Sequence, residues 1–185
     1  ISIDIEEYEV GHAITEIGIT IYDPRENGGC DINGNYLSTQ MPTYQKYHII
    51  IDEEITSRNS KYVLCKKSES LFNETYILTK SETKKFLQNI WDRYFNNENI
   101  INKGFKCALV GQSVDGDMKS LKKNFDLQTK YEFDYNLQLK GVLAKASKKI
   151  LVYDTQKISE RLLFSANSVK KQLRFLNIPH GSLHN

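Results

Sequence analysis

The chain of 185 residues is 39% hydrophobic and 26% charged, and its net charge is only +2. A chain of this size buries one ordinary core, and it holds no apolar run long enough for a membrane-spanning helix. Its cysteines, Cys30, Cys65 and Cys107, are widely spaced and odd in number, which argues against a disulfide framework or a zinc cluster and favours a reducing, intracellular compartment.

One α/β domain over residues 1–185 is expected. The chain begins at Ile1, without an initiator Met and already inside a strand pattern, so we expect the domain to be truncated at both ends. Residues 1–100 contain 10 Lys and Arg against 16 Asp and Glu, whereas residues 101–185 contain 15 against 7. This asymmetry suits a metal site beside a groove for a polyanion. Ordinary solvated lysines on helix faces explain it equally well.

The first stretch of the chain alternates between isoleucines and polar residues. Side chains of a strand point alternately to its two faces, so the isoleucines share one face while Asp4 and Glu6 share the other. Neighbouring carboxylates repel each other unless a cation lies between them, and a divalent metal is the usual counter-ion. A solvated strand face is the alternative reading, because a second Asp-x-Glu occurs at residues 52–54.

Two more strands are expected before a long polar segment. Residues 14–22 alternate, with isoleucines on one face, and are expected to pair with the first strand as a hairpin. Residues 44–51 are rich in β-branched and aromatic side chains, which is typical of a third strand. The polar, irregular residues 52–78 are too many for a passive turn, and we expect a flap or a partner-binding surface there.

A capping pattern marks the start of the first helix. The spacing of a capping box is present in Thr79-Lys80-Ser81-Glu82, and apolar residues then recur on one helical stripe. The stripe is predicted to enter the core rather than to stack on bases. Its members are Phe86, Leu87, Ile90, Trp91, Tyr94 and Phe95.

A second helix is predicted after a buried strand. Residues 105–110 form a short apolar run closed by Gly111, which is typical of a parallel strand. In the helix that follows, Asp117 flanks the apolar stripe and is expected to face the interior. A cap or a solvent-exposed position is the alternative for this carboxylate. The stripe itself consists of Val114, Met118, Leu121 and Phe125.

The remaining segments are less regular. Residues 131–149 are expected to be partly helical, and residues 150–153 form a short apolar strand that ends at Asp154. This carboxylate either caps the next helix or lines a site at the carboxyl end of the strand, and capping is the favoured reading. Residues 167–176 fit a helix. Its predicted inward residues are Val169, Leu173 and Leu176.

The order of these pieces resembles the DEDDh exonucleases. In that family the first strand carries Asp-x-Glu, matched here by Asp4 and Glu6, and the paired strand often reads Ile-x-Glu-Ile-Gly, matched by residues 14–18. A strand-end Asp-Thr is also common in the family as a supporting feature, and here it is Asp154-Thr155. The resemblance covers nearly the whole chain and is to a fungal branch of these exonucleases.

Two further motifs of the family have counterparts here. The second motif is typically Gly-His-Asn with an Asp four residues after the Asn. Here Gly111-Gln112-Ser113 takes its place and Asp117 stands in the metal-binding position, so Gln112 and Ser113 depart from the usual His-Asn. The third motif, His-x-x-x-x-Asp, begins at His184, and its Asp would lie beyond Asn185.

The resemblance implies an α/β, ribonuclease-H-like fold, in which a mixed sheet of three antiparallel strands followed by parallel strands is flanked by helices. It also implies a metal-dependent 3′–5′ exonuclease that releases nucleoside monophosphates from the 3′ end of single-stranded RNA or DNA. Asp4, Glu6 and Asp117 would bind two Mg²⁺ or Mn²⁺ ions, with Asp4 bridging both. His184 would be the general base for the attacking water.

Two other function classes stay open from the sequence. A nucleic-acid-binding or scaffolding domain could keep this fold and lose turnover, and Gln112-Ser113 in the second motif keeps that reading open. An interaction domain that uses residues 52–78 is the third reading. Fold alone does not choose among them, and the carboxylates favour the enzyme.

Overall fold

A computed structural model describes residues 1–23, 44–59, 74–98, 107–135, 149–162 and 168–178. They form an α/β structure in which one sheet is flanked by helices. Its strands are β1 (Ser2–Glu7), β2 (Ile14–Tyr22), β3 (Tyr44–Ile51), β4 (Thr75–Leu78), β5 (Ala108–Gly111), β6 (Glu132–Asp134) and β7 (Lys149–Asp154), and its helices are α1 (Lys80–Tyr94), α2 (Val114–Phe125), α3 (Thr155–Leu162) and α4 (Val169–Phe175).

The strands lie in the order β4-β3-β2-β1-β5-β7-β6. β2 runs antiparallel to both β1 and β3, whereas β1 with β5, β5 with β7, β6 with β7 and β3 with β4 are parallel. The prediction of a mixed sheet that begins with three antiparallel strands is therefore confirmed. β1 lies at the centre, where the antiparallel and parallel parts meet, so residues on β1 can meet side chains from both.

The core lies on the isoleucine face of the sheet. Ile3 faces Ile19 across β1 and β2, and Ile17 faces Ile49 across β2 and β3. Because strand side chains alternate, this register puts the polar residues of β1 on the opposite face. The fully buried side chains with the largest volumes are Trp91, Phe95, Ile14, Ile17, Ile19, Ile21, Ile49, Ile51, Leu87, Leu109, Leu121 and Val114.

Helix α1 begins where its capping pattern predicts. The hydroxyl of Thr79 accepts a hydrogen bond from the backbone N–H of Glu82, and the Glu82 carboxylate accepts one from the backbone N–H of Thr79. This reciprocal pair satisfies two backbone donors that the first turn leaves open. Trp91 packs edge-on against Phe95, with ring centroids 5.3 Å apart. The prediction that the aromatic stripe is core is confirmed.

Two segments differ from the sequence-based expectation. The polar segment 52–78 contains a short 3₁₀ turn, Asp52–Glu54, and the edge strand β4, while residues 60–73 lie outside the described part. Within 131–149, where a partly helical segment was expected, the described residues form strand β6 and the first residue of β7. Residues 136–148 lie outside the described part, so a helix there stays a prediction. Three- and four-residue strands are too short to display an alternation that a sequence pattern could reveal.

The inward face predicted for the last helix is wrong at two of its three residues, and the third, Leu173, is half-buried. In α4, Val169 is 43% exposed and Leu176, which follows the helix, is 56% exposed. The buried residue is Gln172, whose amide donates to Ser159 Oγ at 3.0 Å. The helix therefore docks through a polar contact, which hydrophobic periodicity cannot identify. Within the described ranges, no helix has the length and apolar content needed to cross a membrane.

Candidate metal and catalytic site

Strand β1 presents two carboxylates on the sheet face opposite the isoleucines. Asp4 is exposed and lies opposite Gly18 of β2, and Glu6 is half-buried and lies opposite Glu16. Gly18 leaves the space beside Asp4 open, since a Cβ at Gly18 would only reach ordinary contact with Asp4 at 3.9 Å. The pattern of β1 thus places both carboxylates side by side, as its alternation predicts.

The turn between β5 and α2 leads to a third carboxylate, Asp117. Ser113 adopts a left-handed conformation with φ 56° and ψ 35°, and its backbone N–H donates to Asp154 Oδ1 at 3.1 Å. The same oxygen accepts the backbone N–H of Gln156 at 3.0 Å, which is the bond expected of a helix cap. Asp154 therefore both caps α3 and fixes the turn that leads to Asp117.

The electrostatics show that Asp117 shares its surroundings with the β1 carboxylates. Burial, followed by the charges of Asp4, Glu6, Glu7 and Asp154, raises the pKa of Asp117 to about 7. Burial, followed by the charges of Asp4 and Glu16, raises the pKa of Glu6 to about 6. Like charges disfavour mutual ionisation when they are close. The central strand and α2 thus bring together the carboxylates that the sequence singled out.

The chemistry of this donor set fits a hard divalent cation. Carboxylate oxygens are what Mg²⁺ and Mn²⁺ prefer, and a cation among these side chains would offset the repulsion that adds to the effect of burial on the pKa of Asp117 and Glu6. Across the described ranges, however, no group of three His, Cys, Asp or Glu side chains is already spaced to hold an ion. The described residues therefore supply suitable ligand types, and their role as metal ligands stays a prediction.

One predicted site residue lies outside the described residues, and two neighbours of the site were missed from the sequence. His184, the predicted general base, lies outside the described residues. Glu7 and Glu16 contribute to the electrostatics but were not singled out from the sequence. A register shift pairs Glu6 with Glu16 but Glu7 with Ile14, so an extra residue of β2 interrupts the pairing there and a simple hairpin register does not place Glu7. Glu16 could have been found from its place opposite Glu6 in the expected hairpin.

Asp117→Asn is expected to stabilise the metal-free protein at neutral pH. The pKa of this carboxyl is raised from 3.8 to about 7, so the folded state binds the proton more tightly and wild-type stability falls as pH rises through that interval. The full shift corresponds to about 4 kcal/mol, which solvent screening at a partly exposed site reduces to about 1–2 kcal/mol. Thermal unfolding in EDTA at pH 8 should show a midpoint about 4 °C higher for the variant.

Asp115→Asn is the matched control for this measurement. Asp115 lies in the same helical turn but pairs with Lys119 at 2.5 Å on the surface, so its removal should not stabilise the protein. At pH 4, where Asp117 is protonated in the folded wild type, Asp117→Asn and the wild type should unfold at similar temperatures. An equal rise in unfolding temperature in both variants, or no rise in Asp117→Asn at pH 8, would contradict the raised pKa of Asp117.

Comparisons with known proteins give one family and two relatives. The family model DEDDh_C, described as the DNA polymerase III subunit epsilon-like C-terminal domain, matches residues 1–185. The chain is similar to two proteins of Saccharomyces cerevisiae (strain ATCC 204508 / S288c), at 32% identity in each case. They are "Good for full DBP5 activity protein 2", with 99% of the chain and 32% of that protein aligned, and "Uncharacterized protein YDR514C", with 100% and 37%. The chain spans about a third of each relative's length.

Proposed function

Because the chain belongs to the DNA polymerase III epsilon-like DEDDh family, we propose that it is a metal-dependent 3′–5′ exonuclease. Its exonuclease-like domain would hydrolyse terminal phosphodiesters of single-stranded RNA or DNA and release nucleoside monophosphates. The cofactor would be Mg²⁺ or Mn²⁺, bound as two ions. We further propose that residues 1–185 form one such domain.

One observation carries this proposal. Burial raises the pKa of the half-buried Asp117 of α2 to about 7, and the charges of Asp4 and Glu6 on β1 add to this rise. Retaining mutually repelling carboxylates in one place costs folding free energy, and perturbed carboxylates of this kind cluster at functional sites. Asp4, Glu6 and Asp117 stand at the positions that the DEDDh resemblance assigns to metal ligands. An ordinary solvated strand face would not require carboxylates at these positions.

The proposed roles follow from the chemistry of each side chain. Asp4, Glu6 and Asp117 would hold the ions through carboxylate oxygens, and the ions would supply charge stabilisation to the phosphodiester oxygens. Asp154 would keep the turn before α2 fixed through its bonds to backbone N–H groups. His184 would take a proton from the attacking water at a ring nitrogen, a task suited to an imidazole near neutral pH.

An end-label assay tests the proposed activity. The protein is incubated with single-stranded RNA and DNA oligonucleotides labelled at the 5′ end, with Mn²⁺ or Mg²⁺ and with EDTA. We expect a ladder that shortens from the 3′ end, nucleoside monophosphates as products, and no cleavage in EDTA. Shortening from the 5′ end, or cleavage that persists in EDTA, would refute the proposal. The RNA and DNA arms together identify the preferred substrate.

A binding or scaffolding domain without turnover is the second candidate. Gln112 and Ser113 replace the His-Asn that is usual in the second motif, and the name of one relative describes a contribution to the activity of another protein. If this candidate is correct, the same oligonucleotides should bind in a gel-shift assay and remain uncut in every metal condition.

A further inference from the structure

A histidine bridges three strands on the same sheet face as Asp4 and Glu6. The pairing register aligns Asp4 of β1, Gly18 of β2, His48 of β3 and Thr75 of β4 in one row across the sheet. His48 is only 8% exposed. Because residues in one row share a face, this buried imidazole lies on the carboxylate side of the sheet, separated from Asp4 by a glycine.

Both ring nitrogens of His48 have partners. Nε2 lies 3.1 Å from Glu16 Oε2, and Nδ1 lies 3.0 Å from Thr75 Oγ1. An ionised carboxylate can only accept hydrogen bonds, so Nε2 must carry the proton and donate to Glu16. In the neutral ring, Nδ1 then accepts from the Thr75 hydroxyl. The Thr75 hydroxyl thus satisfies the second ring nitrogen, while the bond from Nε2 is the one that holds Glu16.

The held carboxylate is close to the candidate metal site. Glu16 lies directly opposite Glu6 in the β1–β2 register, and the two side chains of the Glu16–His48 pair are only 15% and 10% exposed. A glutamate without a donor in such surroundings would be an unsatisfied buried charge. A cation bound at Glu6 would stabilise this carboxylate if Glu16 turned toward it, and Glu16 would then be an additional ligand.

We propose that His48 is a positioning residue that holds the Glu16 carboxylate away from the metal ligands, so that Glu6 binds the ion without a competing neighbour. This inference rests on the proposed function, because it concerns the same site. Released Glu16 would occupy a coordination position needed by water or substrate. Losing the His48–Glu16 bond should therefore retain metal binding and lower kcat.

Two substitutions of His48 separate its two hydrogen bonds. In His48→Gln the amide nitrogen takes the place of Nε2 and can still donate to Glu16, whereas in His48→Asn it takes the place of Nδ1 and cannot reach Glu16. We expect His48→Gln to keep a kcat close to that of the wild type. His48→Asn should lose at least about tenfold in kcat, since small displacements at a reacting centre have effects of this size. Mn²⁺ affinity, measured by titration calorimetry, should not weaken in either variant.

Glu16→Gln provides the suppression test. It keeps an oxygen that accepts from His48 and removes the charge that could compete for the ion, so its kcat should stay near the wild-type value. Adding Glu16→Gln to His48→Asn should restore most of the lost turnover, because no carboxylate remains to be released. Thr75→Val is the control for structural damage. It removes only the contact to Nδ1 of His48, so it should lower the unfolding temperature while kcat stays near the wild-type value.

The outcomes distinguish this inference from the proposed function. Equal kcat losses in His48→Gln and His48→Asn, or no suppression by Glu16→Gln, would overturn the positioning role while an active wild type leaves the exonuclease proposal intact. If His48→Asn fails to fold, the kcat of Glu16→Gln decides the inference. A loss of about tenfold or more in kcat would show that the Glu16 charge is required for turnover, which would overturn the positioning role of His48. A wild type without metal-dependent turnover would overturn both.

Discussion

The variant that combines Asp4→Ala with Asp117→Ala is expected to lose Mn²⁺ binding in titration calorimetry and at least about a thousandfold in exonucleolytic rate. These side chains come from the central strand and from α2, and Asp4 contributes to the raised pKa of Asp117. If they hold the ions, removing both deletes ligands from two separate elements. Metal charge stabilisation is worth several kcal/mol, and each ~1.4 kcal/mol corresponds to tenfold in rate.

The second Asp-x-Glu supplies a matched control with the same number of charges removed. Asp52 and Glu54 lie in a 3₁₀ turn after β3, where Glu54 pairs with Lys80 at 3.0 Å. Asp52→Ala combined with Glu54→Ala should retain Mn²⁺ binding and activity, and its cost should fall on stability, because it removes an ion pair in which the Glu54 side chain is only 16% exposed. Undiminished Mn²⁺ binding in the Asp4 and Asp117 variant would refute the site assignment, as would equal losses in the control.

Gly111→Ala is expected to lower both stability and activity. A Cβ at this position would lie 2.8 Å from Val114 Cγ2 and 3.2 Å from the backbone oxygen of Ile3. Val114 is fully buried and Ile3 is in the central strand, so neither contact can relax cheaply. Overpacking of this kind costs about 1–3 kcal/mol. Because Gly111 begins the turn that leads to Asp117, any shift that relieves the clash would also move the carboxylate.

Gly116→Ala is the control for this substitution. Gly116 lies in the first turn of α2, one residue before Asp117, and a Cβ there would meet nothing within 4 Å. Alanine is preferred over glycine inside a helix by up to about 1 kcal/mol, so this variant should unfold at the wild-type temperature or higher. Urea unfolding of both variants measures the difference. Equal stability of Gly111→Ala and the wild type would show that the β1–β5 junction is looser than these distances indicate.

The sequence by itself determined the elements whose physics is local. Alternation identified β1 and β2, because side chains of a half-buried strand repeat every two residues, and β-branched and aromatic content identified β3. Capping-box spacing and the aromatic stripe identified α1, since both follow from helix geometry within a few turns. The motifs also singled out Asp4, Glu6 and Asp117 before any contact between them was visible. Their assignment as metal ligands stays a prediction, as does that of His184.

Only the tertiary structure decided which distant groups meet. The hydrogen bond between Glu16 and His48 joins residues that are 32 positions apart, and the one between Ser113 and Asp154 joins residues 41 apart. Such contacts depend on strand order and register, which no local pattern specifies. The outward apolar side chains of α4 are a second example, because its docking depends on the amide of Gln172 rather than on hydrophobic periodicity. Burial and charge at a site are sums over neighbours from several elements, so the raised pKa of Asp117 exists only once those elements have packed.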